Sequence, residues 1–131
     1  MGTKSYPPEL RRVYRYRPLI GGEDWYSGWS GVPISDIATG VLELDPGAYY
    51  PLHLHPAPEI YYVIDGTATW TVGKETFLAR PGTAIYHRPN APHRMVNNGK
   101  KKLKVFWIWY APRGKTDVLN TSSKLIEPMP K

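Results

Sequence analysis

Proline and glycine leave this chain little room for helices. There are 14 prolines and 12 glycines among 131 residues, and they cut the sequence into short runs. Residues 39–44 read as a strand closed by Asp45-Pro46-Gly47. Residues 48–55 form the next, closed by Pro56-Ala57-Pro58, and residues 59–64 follow, closed by Asp65-Gly66. Residues 67–72 turn at Gly73-Lys74 into 75–79, a two-residue hairpin signal. Arg80-Pro81-Gly82 leads into 83–88, Pro89-Asn90-Ala91-Pro92 into 93–97, and Asn98-Gly99 into 102–111. Short strands at this spacing imply an all-β sandwich or barrel, not a βαβ fold.

The length suits one domain with one core. Its expected limits are residues 21–113, between a basic, proline-containing arm at 1–20 and a polar tail at 114–131. Within the arm, residues 11–17 alternate in part between charged and apolar side chains and read as an edge strand. An open edge is a liability unless it is paired, and this strand could add to a second copy, the homodimer that the family resemblance below implies. No apolar run approaches the roughly 18 residues of a membrane span. The first residues lack the apolar stretch of a secretion leader, and Tyr6 stands where a myristoylation site wants Ser or Thr. The expectation is a cytoplasmic protein with no membrane partner. With no cysteine, disulfides and thiolate metal sites are excluded. The net charge is +6, densest at Lys100, Lys101, Lys102 and Lys104 after Asn98-Gly99. That cluster reads as a solvated turn. No nucleic-acid motif accompanies it, so no nucleic-acid partner is expected.

Of only four histidines, His53 and His55 stand two residues apart in a stretch that otherwise reads as buried strand. Strand side chains alternate, so both point the same way, and Glu59 and Tyr61 share a face with each other. Polar groups on interior faces are costly without a partner. A divalent metal removes that cost for the histidines and the glutamate together. A further ligand should come from another strand, and His93, after the turn at 89–92, is placed to supply it. Nitrogen and oxygen donors without sulfur suit manganese, iron, nickel or zinc. Such a set leaves one or two positions for water or substrate. The other reading of the same residues is a metal-free core of hydrogen-bonded side chains.

Gly47, His53, His55, Glu59 and Gly66, separated by five, one, three and six residues, resemble the first motif of the cupin family. Gly82, His93 and Asn97 resemble the second. Arg88 replaces the family's usual proline and Asn90 its usual glycine; both positions shape a turn, and Asn tolerates positive φ better than most residues. The resemblance covers roughly residues 38–112. It implies a single-domain cupin, an all-β jelly-roll barrel, with His53, His55, Glu59 and His93 as metal ligands. His87 falls where the family usually has an apolar residue, and either packs or lines the pocket.

Lys102 and Lys104 set the outward parity of the last long strand, so Trp107 and Trp109 are expected to face inward. Tyr49, His87, Trp107 and Trp109 are the expected substrate-pocket residues. Trp25, Tyr26 and Trp29, in a Gly/Ser-rich stretch, are expected to fold over the mouth. Tyr61, two residues after Glu59, brings a hydroxyl near the metal. A phenol ordinarily ionises at about pH 10, and a nearby cation favours the phenolate, which would make Tyr61 a general base. The series His-x-His, three residues, Glu-x-Tyr, four residues, Gly resembles cupin-type dimethylsulfoniopropionate lyases. That resemblance implies a carboxylate-bearing substrate held on the metal and β-elimination to acrylate and dimethyl sulfide. Aromatic rings would hold the sulfonium. The same ligands also serve an iron-dependent dioxygenase cleaving a C–C bond, an isomerase or epimerase, or a non-enzymatic metal-dependent binder of a small metabolite.

Overall fold

A computed structural model describes residues 14–21, 36–120 and 123–127 of the protein. In chain order the strands are β1 (Tyr14–Gly21), β2 (Ile37–Leu44), β3 (Tyr49–Leu54), β4 (Glu59–Asp65) and β5 (Ala68–Val72). They continue as β6 (Glu75–Ala79), β7 (Ala84–His87), β8 (His93–Val96), β9 (Leu103–Tyr110) and β10 (Lys124–Leu125). Two antiparallel sheets result. Sheet A runs β1-β2-β9-β4-β7, and sheet B runs β10-β3-β8-β5-β6. Among the described residues no helix is long and apolar enough to cross a membrane.

Alternation builds the core. In β9 the odd positions Leu103, Val105, Trp107 and Trp109 are buried, while the even ones between them are partly exposed. Register then stacks the inner face of sheet A into rungs. Leu44 lies opposite Leu103, and Leu42 and Val63 flank Val105. The next rung is Gly40, Trp107, Tyr61 and Ile85. The last is Ala38, Trp109, Glu59 and His87. The inner face thus changes from aliphatic to aromatic to polar along the strands. The small Gly40 and Ala38 sit opposite the two indoles.

Both ends of the described residues join the sheets. The expected arm boundary at residue 20 falls inside β1, which pairs with β2 of the same chain. Residues 11–13 of the expected edge strand lie outside the described residues. The expected tail from residue 114 contains a 3-10 turn, Thr116–Asn120, and the strand β10, which pairs with β3. Glu127 holds this end down: its Oε1 accepts from the Leu52 amide and from Arg94 Nε, each at 2.6 Å.

Asn97 and Gly66 close the aliphatic end. Asn97 Nδ2 donates to the carbonyls of Leu44 (2.8 Å) and Lys101 (2.9 Å), and its Oδ1 accepts from the Gly99 amide at 3.1 Å. The lysines of this turn, Lys100, Lys101 and Lys102, are exposed. Gly66 has φ +79°, and a Cβ there would stand 2.6 Å from the Lys102 carbonyl oxygen. Gly66→Ala therefore meets both a conformational penalty and a backbone clash. The expected loss is about 2 kcal/mol or more of stability, read as a lowered denaturation midpoint. An unchanged midpoint would contradict the close approach.

Candidate metal centre

Three strands and one turn carry the site, and they come from both sheets. His53 in β3 lies opposite His93 in β8, so sheet B supplies this pair in register. Glu59, the first residue of β4, comes from sheet A. His55 follows the end of β3, where the turn from Pro56 to Pro58 carries the chain across to Glu59. All four side chains are buried, at 0% exposure for His53 and Glu59 and 1–2% for His93 and His55. The second turn is tied to the first: the Asn90 amide donates to the His55 carbonyl at 2.8 Å. Asn90 itself has φ 61°, the left-handed conformation its amide side chain tolerates.

The imidazoles are oriented alike. Nδ1 of His53 lies 2.8 Å from the Pro51 carbonyl, that of His55 2.8 Å from the Ala57 carbonyl, and that of His93 2.9 Å from the Ala91 carbonyl. A carbonyl can only accept, so each Nδ1 carries the hydrogen and each Nε2 is left as a lone pair. This is the outer-shell pattern that orients metal-binding imidazoles. Ligand atoms of the three histidines lie within 4.8 Å of one another. Glu59 Oε1 sits 3.0 Å from His55 Nε2 and 3.2 Å from His93 Nε2. Among the described residues, the buried His53 Nε2 and Glu59 Oε2 have no hydrogen-bond partner.

Lone pairs and a carboxylate converging in a dry interior repel unless positive charge sits among them. A proton on one Nε2 can supply it, but burial, followed by the neighbouring histidines, holds His53 well below the ordinary imidazole range. Burial also lowers His55, against its contact with Glu59. Burial pushes Glu59 up. Its contacts with His55 and His93 outweigh that and keep the carboxyl well below its usual range, as a proton or a cation shared at the Nε2 atoms would. The site therefore favours an anionic carboxylate beside His53 and His55 imidazoles that resist protonation. A divalent cation fits this donor set, and the residues that would hold it are His53, His55, Glu59 and His93.

The other expected site residues fall in different places. Tyr61 is buried on the inner face two residues beyond Glu59, its ring 5.1 Å from His87 and 6.3 Å from His93. Trp109 is stacked on His55 at 4.0 Å and backs that imidazole. Trp107 is buried beside Tyr61 in register, and among the described residues its Nε1 has no hydrogen-bond partner. His87 is fully buried inside the barrel, its ring 4.3 Å from His93. Its Nε2 accepts from Trp70 Nε1 at 2.9 Å and its Nδ1 faces the Glu59 carbonyl at 3.2 Å, so both nitrogens are occupied.

Tyr49 does not line the interior. It is half-buried, with the Arg94 guanidinium 5.0 Å above its ring. A register shift between Tyr50 and His53 reverses the parity of β3. Tyr50 consequently faces inward and stacks on His53 at 4.2 Å. Trp25, Tyr26 and Trp29 lie outside the described residues. Sequence reasoning missed Tyr50, hidden by the bulge, and Trp70. The threonines flanking Trp70 signal its inward direction, since Thr69 and Thr71 are partly exposed around a buried indole.

Residues 40–109 match the cupin domain family, and the chain belongs to it. Its relatives include an uncharacterised protein of Methanocaldococcus jannaschii, 36% identical over 67 residues, 50% of this chain and 54% of that protein. The dimethylsulfoniopropionate lyase DddQ of Ruegeria pomeroyi is 36% identical over 58 residues, 44% of this chain and 29% of that enzyme. DddW of the same organism is 28% identical over 104 residues, 72% of this chain and 68% of that enzyme. The crystal structure of the Ruegeria pomeroyi DddQ superposes with a TM-score of 0.71 at 23% identity, covering 96% of this chain and 58% of that one. The chain thus resembles dimethylsulfoniopropionate lyases, while spanning about half or less of the first two relatives it matches.

The buried histidines make the metal-free protein sensitive to acid. Burial and the neighbouring His93 lower His87 from the ordinary 6.5 to about 3, and His53 and His55 move in the same direction. Between those values the unfolded chain binds protons that the folded chain refuses, so stability falls as pH falls. Within that window His87 contributes up to about 1.4 kcal/mol per pH unit, and His53 and His55 act in the same direction. Urea midpoints of the metal-free protein are expected to drop clearly between pH 7.5 and pH 5.5. Equal midpoints would mean that the histidines are not held neutral.

Proposed function

We propose that this protein is a metal-dependent lyase of the dimethylsulfoniopropionate lyase type, acting on a small carboxylate-bearing substrate by β-elimination. The observation that carries this reading is Tyr61. It is buried on the same inner face as Glu59 and on the wall formed with His87 and His93. The similarity to DddQ and DddW supports the substrate class.

In this reading His53, His55, Glu59 and His93 hold a divalent ion. The bound ion would supply a Lewis acid that takes the substrate carboxylate and disperses the charge developing beside it. Tyr61, as phenolate, takes the proton from the carbon next to that carboxylate. The electron pair forms the new C=C bond, and the bond from the β-carbon to sulfur breaks. Acrylate and neutral dimethyl sulfide leave, and the proton stays on Tyr61 until solvent removes it. Trp107, beside Tyr61, offers an indole to the sulfonium. Burial of this wall keeps water from competing for the phenolate.

The test is release of dimethyl sulfide from dimethylsulfoniopropionate by the metal-loaded protein, measured by headspace gas chromatography. Tyr61→Phe keeps the ring and its packing. It is expected to retain metal and to lower kcat by roughly 10²-fold or more, with little change in KM. Full activity in Tyr61→Phe would remove the base from the mechanism. Oxygen uptake with ferrous iron, without dimethyl sulfide, would replace the lyase by a dioxygenase.

A further inference from the structure

The interior contains one histidine that the mechanism above does not use. His87 is fully buried, 4.3 Å from the ring of His93 and 5.1 Å from that of Tyr61. Its neighbours fix its chemical form. Trp70 Nε1–H can only donate, so the His87 Nε2 it faces at 2.9 Å must accept. The hydrogen of His87 is then on Nδ1, which donates to the Glu59 carbonyl at 3.2 Å. A histidine with both nitrogens spent in this way has neither a lone pair for a metal nor a free site for a proton.

The direction of these bonds matters more than their number. Trp70 stands in β5 of sheet B, beside β8, which carries His93. His87 stands in β7 of sheet A, directly opposite Glu59 in β4. The chain of donors therefore starts on the sheet that carries His53 and His93. It crosses the barrel interior and ends on the main chain of the ligand from the other sheet. Glu59 is the first residue of β4 and follows Pro58, which has no amide hydrogen; the turn before it is held at the His55 carbonyl by the Asn90 amide, and the His87 bond is the side-chain contact on the carbonyl of Glu59 itself.

We propose that Trp70 and His87 form a positioning strut that sets Glu59 against the three histidines, and that His87 is neither a ligand nor a base. The proposal rests on reading His53, His55, Glu59 and His93 as a metal centre. It assigns the strut a definite consequence: its loss acts through Glu59 and through no other ligand.

Cobalt(II) titration of the folded protein tests this, read by visible absorption and by competition with a chelator. His87→Gln leaves an acceptor near the position of Nε2 and removes the donor to Glu59. His87→Asn leaves a donor near the position of Nδ1. His87→Gln is expected to weaken cobalt binding by roughly 10- to 100-fold and to alter the spectrum, with His87→Asn recovering much of both. In a Glu59→Gln background the same change at position 87 is expected to cost nothing further. Unfolding curves verify that each variant is folded. Should His87→Gln fail to fold, Trp70→Phe, which removes the other end of the strut, is expected to weaken cobalt binding with the same dependence on Glu59. Unchanged affinity and spectrum in a folded variant would overturn the strut, as would an equal loss in both backgrounds. Wild-type protein that takes up no cobalt would instead overturn the metal centre, and the strut with it.

Discussion

A buried anion surrounded by lone pairs is the constraint on which the rest of this protein depends. Each of the three clustered histidines spends its Nδ1 hydrogen on a carbonyl close by in its own loop or strand. That leaves Nε2 atoms and the Glu59 carboxylate facing one another away from water. In low dielectric such a set is unstable by itself. Positive charge at its centre converts mutual repulsion into attraction. The cluster is thus strained in favour of metal binding, much as an unpaired buried charge is strained in favour of a partner.

The fold meets this demand through a gradient along the barrel. Sheet A runs from leucine and valine rungs, through Trp107 and Tyr61, to Trp109, Glu59 and His87. The aliphatic rungs supply the apolar burial that holds the sheets together, at about 25 cal/mol per Å² of area removed from water. The polar rung then sits in a frame already closed, where imidazoles can be held in one tautomer by short local bonds. Trp109 and Tyr50 stack on His55 and His53, so these imidazoles are held by ring contact as well as by hydrogen bonds.

Much of this could be read in the residues themselves. The lysines at 102 and 104 disclosed which face of β9 is buried, and Asn90 in place of glycine announced a left-handed turn, here with φ 61°. The clustering of His53, His55, Glu59 and His93 followed from their strand parity and the turn before His93. What escaped was whatever depends on a break in that parity or on distant partners. The bulge in β3 exchanged Tyr49 for Tyr50, because one shifted residue moves side chains to the opposite face. The strand β10 is two residues long and exists only through its pairing with β3 and the anchoring of Glu127, neither of which leaves a local pattern. His87 was visible as an oddity, but its tautomer is dictated by an indole 17 residues away in sequence.

The central claim is that the converging donors hold a divalent cation. Metal content per chain, measured by mass spectrometry after loading and removal of free metal, tests it most directly, with His55→Ala as the control. One ion per folded wild-type chain, and a large loss in His55→Ala, is the expected result. A folded wild-type chain that retains no manganese, iron, nickel or zinc at any loading would contradict it.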